Sequence, residues 1–379
     1  MDEQGGLGCC TLAFDRTSGT PAGTRFFLFR LGGSAVSHEF ISSARAMVFR
    51  DAARQVSSSG VRGIGPAGTG PTHCRIAARD RAGGWHYWLA EHHNIPGVAS
   101  AATAVLIAHV AGGTRSIRVG SGGVMLPNHA PLIVAEQFGT LETLYPGRID
   151  LGLGRAPGTD RLTSRALRRH LETNAEAFAE DVHELRHFFE AADPGKAVRA
   201  IPGVGLNVPL FILGSSVFGA SVAATLGLPF AFASHFAPDA LKAALDLYRA
   251  RFKPSRQLER PYVMVAANVV VAEREADARR LFTSLQQMSL YTLRGSPVAL
   301  PQPVDDLKRV ASAAEIEAIS HMFTYSFVGT PETVTSELQG FLKMTRADEL
   351  IVSNPIFDHA ARLRSLELTA LIRDSERSG

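Results

Sequence analysis

A chain of 379 residues, 45% apolar and 20% charged, carries enough hydrophobic surface for one large core or two ordinary ones. Its formal charge of +3 and the lack of a dense Lys/Arg tract make nucleic acid a poor partner, and no run of about 20 apolar residues exists to cross a membrane. The three cysteines, Cys9, Cys10 and Cys74, have neither zinc spacing nor the even count of a disulfide framework, and Met1-Asp2-Glu3-Gln4 lacks the basic, apolar start of a secretory signal, so a cytoplasmic protein is expected.

Residues 1–84 differ in texture from the rest, with ten Arg, no Lys and six acids among Gly, Ser and Thr clusters. A true N-terminal extension and displaced GC-rich codons both give such a composition. Within the region Phe26–Leu31 has a strand pattern, and Phe40, Ile41, Ala44, Met47, Val48 and Ala52 have helical spacing. From Trp85 onward short apolar runs alternate with amphipathic stretches. Strands are predicted at Trp85–Glu91, Ile117–Met125, Ile149–Leu153, Leu210–Leu213, Phe230–Ser234, Tyr262–Val271 and Glu349–Ser353. Helices are predicted at about 99–112, 130–144, 171–192, 216–226, 238–252, 273–290, 331–344 and 358–375. Such alternation means βαβ units and a parallel sheet. Seven strands, with strand 1 and helix 1 supplied from 1–84, make the eight that close a (β/α)₈ TIM barrel over 85–379. An open doubly wound sheet is disfavoured because no GxGxxG turn follows an early strand. The stretches at 155–170 and 291–325 are too long for plain connections and read as insertions at the C-terminal face.

In such a barrel the active site lies at the strand C-termini, and polar or glycine-rich residues gather there. The predicted strands run out into Glu91-His92-His93-Asn94, Pro127-Asn128-His129, Gly152-Leu153-Gly154-Arg155, Gly214-Ser215-Ser216, Ser234-His235 and Ser353-Asn354, and the strand before Pro127 carries Gly120-Ser121-Gly122-Gly123. Backbone N–H groups at a helix start beside Ser215 and Ser216 suit a phosphate, although a plain serine N-cap reads the same way. Arg155 is a second phosphate candidate, since a guanidinium can hold two phosphate oxygens. Gly122-Gly123 inside an otherwise β-branched strand means a bulge or the close approach of a flat ligand. Adjacent strand residues face opposite ways, so Glu91-His92-His93 makes a poor metal site, and one imidazole facing the cavity serves better as an acid–base group.

At these residues the chain resembles the luciferase-like flavin-dependent monooxygenases. The similarity is carried by WLAEHHNIPGVAS (88–100), IRVGSGGVMLPNHAPLIVAEQFGTLETLYPGRIDLGLGRAPGTD (117–160), LFILGSSVFGASVAATLGLPFAFASHFAP (210–238), FVGTPETV (327–334) and ADELIVSNPIFDHAARLRSLEL (347–368). It extends to actinobacterial members from type II polyketide pathways, that of mensacarcin among them. The resemblance implies a bacterial luciferase-like barrel, commonly a homodimer, that takes FMN as FMNH₂ from a separate NAD(P)H–flavin reductase. It would use O₂ to oxygenate a small organic substrate, with an aromatic polyketide as one expectation. It also implies that His92 is catalytic and that a non-proline cis peptide at Gly122–Gly123 supports the flavin ring. Phosphate contacts would fall on Arg155, Gly214, Ser215 and Ser216, with Glu91 counted among the cofactor contacts. The reactive cysteine of the light-emitting enzyme is replaced here by Gly154. An F420-dependent oxidoreductase and a flavin-binding protein without turnover are the competing readings of the same barrel.

Overall fold

The computed structural model describes residues 74–78, 85–156, 159–167, 175–191, 195 and 197–375. Chain contacts divide the protein into Met1–Ser43 and Ala44–Gly379, and every described residue belongs to the second unit. The patterns at Phe26–Leu31 and 40–52 lie outside the described residues.

All seven predicted strands are present: β2 (Trp85–Leu89), β3 (Arg118–Met125), β4 (Ile149–Gly154), β5 (Leu210–Gly214), β6 (Phe230–Phe232), β7 (Val263–Val271) and β9 (Glu349–Ser353). Two more join them, β1 (Cys74–Ala78) and β8 (Ser326–Gly329). The strands β2 to β7 pair in sequence order and in parallel, and β7 pairs with β9. β1 bridges β9 and β2, so the hydrogen-bonded ring closes on eight strands. β8 adds only to the C-terminal half of β7, Asn268–Val271.

One expectation is corrected here. The N-terminal region supplies the eighth ring strand, but β1 runs antiparallel to both neighbours, and the expected helix 1 lies outside the described residues. The cause is chain length. A parallel pair needs a crossover of a dozen or more residues, and only residues 79–84 separate β1 from β2.

Eight helices fall where the 3.6-residue period put them, α1 (Thr103–Gly112), α2 (Pro131–Leu144), α4 (Ala175–Phe188), α5 (Val217–Leu226), α6 (Leu241–Arg251), α7 (Glu275–Leu293), α9 (Pro331–Thr345) and α10 (His359–Ser375), and two that the period did not mark join them, α3 (Arg161–Leu167) and α8 (Ala313–Ser320). Local chemistry sets several ends. Ser312 and Glu315 close a reciprocal capping box on α8. Thr330 accepts from Thr333 N–H at the start of α9, ahead of Pro331, and α5 stops at Gly227 in the left-handed conformation. The two long connections contain α3 in the first and α8 in the second, and β8 follows directly after the second. No helix among the described residues is long and apolar enough to cross a membrane.

Two layers of core follow. Between strands and helices lie side chains such as Phe138, Leu185, Phe230, Tyr248 and Val269. Inside the ring a smaller cluster of Trp88, Phe211, Ala231, Met264, Ala266 and Ile351 fills the barrel, with Trp88 edge-on to Phe211 at 4.9 Å. β7 is buried along all nine residues, which explains why all of them but Asn268 are apolar. At the N-terminal end of the strands, fully buried Asp150 accepts from Arg118 Nε at 3.0 Å, Trp88 Nε1 at 3.0 Å and His86 Nδ1 at 2.8 Å. Burial alone would push this carboxyl up; His86 and Arg118 outweigh it and hold it below the usual carboxylate range.

Candidate active site

A cavity of about 590 Å³ opens at the C-terminal ends of the strands. Residues from six of the predicted strand ends reach it, because parallel strands deliver their last residues to one face.

A corner suited to an anion lies between β5 and α5. Ser216 occupies the N-cap position in an extended conformation and gives no side-chain cap to the helix. The serine-cap explanation is therefore set aside, and the first N–H groups of α5 keep their capacity for a ligand. Gly214 and Gly219 let strand end and helix start approach closely: a Cβ on Gly214 would stand 3.3 Å from the Gly219 Cα. Across the corner the Arg155 guanidinium lies over the Phe218 ring at 4.5 Å from its centroid. Arg155, Gly214, Ser215 and Ser216 all line the cavity.

The opposite wall is the glycine segment of β3. The Gly122–Gly123 peptide is cis, and the β3–β4 register shifts between Ser121 and Val124. Both glycines line the cavity. A Cβ on Gly123, however, would stand 2.7 Å from the Gly152 carbonyl oxygen of β4, not over the cavity. The missing side chain at position 123 thus answers first to strand packing. Gly123→Ala is expected to cost about 3 kcal/mol, the upper end for overpacking against a backbone that cannot yield. Thermal or urea denaturation checks this. An unchanged midpoint would mean that β3 and β4 re-space freely.

β2 ends at Leu89, two residues short of the prediction, so Glu91, His92 and His93 lie on the connection beyond it. His92 lines the cavity. Glu91 is not among the residues that line it. Its carboxylate, 1% exposed, accepts from His93 Nε2 at 2.7 Å, Met125 N–H at 2.9 Å, Asn128 Nδ2 at 3.2 Å and His129 Nε2 at 2.9 Å. Its own N–H donates to Gly123 O at 3.2 Å. Glu91 therefore brackets the glycine wall from both sides. Burial raises its pKa, and the pull of His129 with the hydrogen bonds from His93 and Met125 brings it below the ordinary value. The His93 ring holds Glu91, and the His93 carbonyl accepts from Thr159 Oγ1 at 2.7 Å.

Sequence reasoning left several cavity residues unassigned. His235 follows β6 with its ring edge-on to Phe236 at 4.7 Å, and buried Asn268 on β7 donates to the His235 carbonyl at 2.7 Å. Phe178 on α4, and Leu285, Met288 and Ser289 on α7, complete the walls. These positions lie inside helices and not at strand ends, so only the polar run Ser234-His235 gave a signal.

The comparisons agree with this architecture. A family model described as luciferase-like monooxygenase matches residues 46–348, beginning inside the arginine-rich region, and the chain belongs to that family. A luciferase-like monooxygenase of Escherichia coli (strain K12) is 53% identical over 292 residues, covering 77% of this chain and 87% of that protein. The solved structure of apo-MsnO8 is 34% identical with a TM-score of 0.66, covering 76% of this chain and 87% of the other. The oxygenating constituent of 3,6-diketocamphane monooxygenase from Pseudomonas putida, solved with FMN, shares the fold at 18% identity and a TM-score of 0.56, over 86% and 92% of the two chains.

Proposed function

We propose that this chain is the oxygenase of a two-component system. It takes reduced FMN from a separate NAD(P)H–flavin reductase and uses O₂ to oxygenate a small organic substrate, working as a homodimer. An aromatic polyketide is one member of that substrate class. The observation that carries the reading is the convergence, in one cavity, of an anion-binding corner, a glycine wall and an imidazole. Its volume of about 590 Å³ lies within the common range for ligand sites.

The residues fit a flavin mononucleotide. Arg155, Ser215, Ser216 and the uncapped start of α5 would take the phosphate, and Gly122–Gly123 would back the ring. Reduced FMN bound there would supply the two electrons that activate O₂. The protein's own tasks are positional. Arg155, steadied by Phe218, pins the anion, and Glu91 holds the wall through Met125 N–H and Gly123 O. His92 holds or passes a proton at one of its imidazole nitrogens, and α7 keeps water from the interior.

Arg155→Ala is expected to weaken FMN binding by about 1–3 kcal/mol, the range for losing hydrogen bonds from a charged donor. Ser215→Ala should do less, because the backbone donors remain. Fluorescence titration measures both, and unchanged affinity in both variants would remove the phosphate corner. Oxygen uptake with FMNH₂ generated by an added reductase tests the reaction itself. Selective affinity for reduced F420 without oxygen uptake would replace this reading with a hydride-transfer enzyme. FMN binding without turnover would reduce the chain to a flavin-binding protein.

A further inference from the structure

The cavity is chemically two-sided, and its second side carries information about what it accepts. Phe236, Leu293 and Met322 are large apolar side chains left 45%, 57% and 37% exposed, and all three converge on the mouth of this cavity. Exposed apolar side chains gathered around one opening mark a ligand groove. Behind them Leu285, Met288 and Phe323 continue the apolar surface inward. Phe323 is fixed edge-on to Phe282 at 5.2 Å.

Charge is distributed unevenly over the same walls. Among the described residues no Asp, Glu or Lys lines the cavity, and its ionisable side chains are His92, Arg155 and His235. Arg155 stands at the phosphate corner over Phe218. On α7 the Thr292 hydroxyl is already given to the Met288 carbonyl at 3.0 Å, which leaves Ser289 as the hydroxyl of that face available to a ligand.

Building on the flavin reading above, in which the phosphate takes the Arg155 charge, we propose that the α7 side of the cavity binds an uncharged, largely apolar substrate. Ser289 supplies its single polar contact, and molecules carrying a carboxylate or an ammonium are rejected. The physical reason is desolvation. A charge moved from water against Leu285, Met288 and Phe323 finds no counter-charge there, and an unpaired buried charge is far costlier than an unpaired dipole.

The test uses the enzyme loaded with FMN and three probes of one skeleton: 2-methoxynaphthalene, 2-naphthoate and 2-naphthylmethylamine. Binding is read by flavin and tryptophan fluorescence. The neutral ether is expected to bind ~100-fold more tightly than either charged probe. Leu293→Lys, at an exposed position that folding does not depend on, is expected to narrow the gap by tightening 2-naphthoate and weakening the ether. Charged probes bound as tightly as the ether, no binding by any probe, or a Leu293→Lys profile identical to the parent would overturn the assignment. Failure of the flavin reading shows separately, as a chain that does not take up FMN in the loading step.

Discussion

Replacing His92 by alanine is expected to lower product formation about 10²–10⁴-fold, the usual contribution of a positioned acid–base group. Flavin affinity should change little, because the phosphate corner at Arg155 and Ser215 is untouched. Oxygen uptake should then continue with its electrons diverted to hydrogen peroxide, so the diagnostic quantity is the ratio of product to oxygen consumed. His93→Ala provides the contrast. That imidazole stands 2.7 Å from Glu91 Oε1, and its loss should lower the melting temperature more than the coupling ratio. Exchanged phenotypes would mean that the two histidines have been assigned to each other's roles. Unchanged coupling in both would end the acid–base assignment while leaving the flavin site standing.

Asp150→Ala should be the most destabilising single change described here, at about 3–5 kcal/mol. The carboxylate is fully buried, and removing it takes the acceptor from the Trp88 N–H and the His86 ring and the counter-charge from the part-buried Arg118 guanidinium, which keeps only backbone acceptors at Gly147 and Ile149. The same group gives stability a pH dependence of known sign. Its folded pKa is depressed, so its contribution is complete above the unfolded value of about 3.9. That contribution is lost as pH falls through the folded value. Denaturant titrations from neutrality downward should therefore show a stability decline below about pH 4, and Asp150→Asn should remove part of that slope. An acid limb of identical slope in the variant would mean that folding does not shift the Asp150 pKa. Glu91, also held low, contributes to the same limb and is left intact in the comparison.

The fold was legible wherever a segment is buried on both faces. The run Val263–Val271 could only be an interior strand, and Ile149–Gly154 likewise. Ser326–Gly329 was missed because four residues with every second side chain buried, added to one half of one neighbour, leave almost no compositional trace. The direction of β1 was hidden for another reason. It is decided by the six residues before β2, and the texture of 1–84 drew attention away from that short link.

The site divides along similar lines. His92, Gly122, Gly123, Arg155 and Gly214–Ser216 stand at strand ends, where topology alone brings them together. Glu91 stands beside them in sequence and holds the wall behind them in the structure. Its partners Met125, Asn128 and His129 lie 34 to 38 residues away, and nothing in the local pattern tells a carboxylate that touches a ligand from one that holds a wall.

The buried charge cluster around Asp150 sits at one end of the strands, and the apolar mouth at Phe236, Leu293 and Met322 sits at the other. A substitution at the mouth meets water or a ligand, whereas one at Asp150 meets a fully packed ion cluster. Inherited change is therefore filtered differently at the two ends. Descendants of this sequence can drift at positions 236, 293 and 322, exploring new chemistry, while the barrel beneath them keeps its reserve against unfolding. Separated in this way, innovation at the rim places no demand on the foundations.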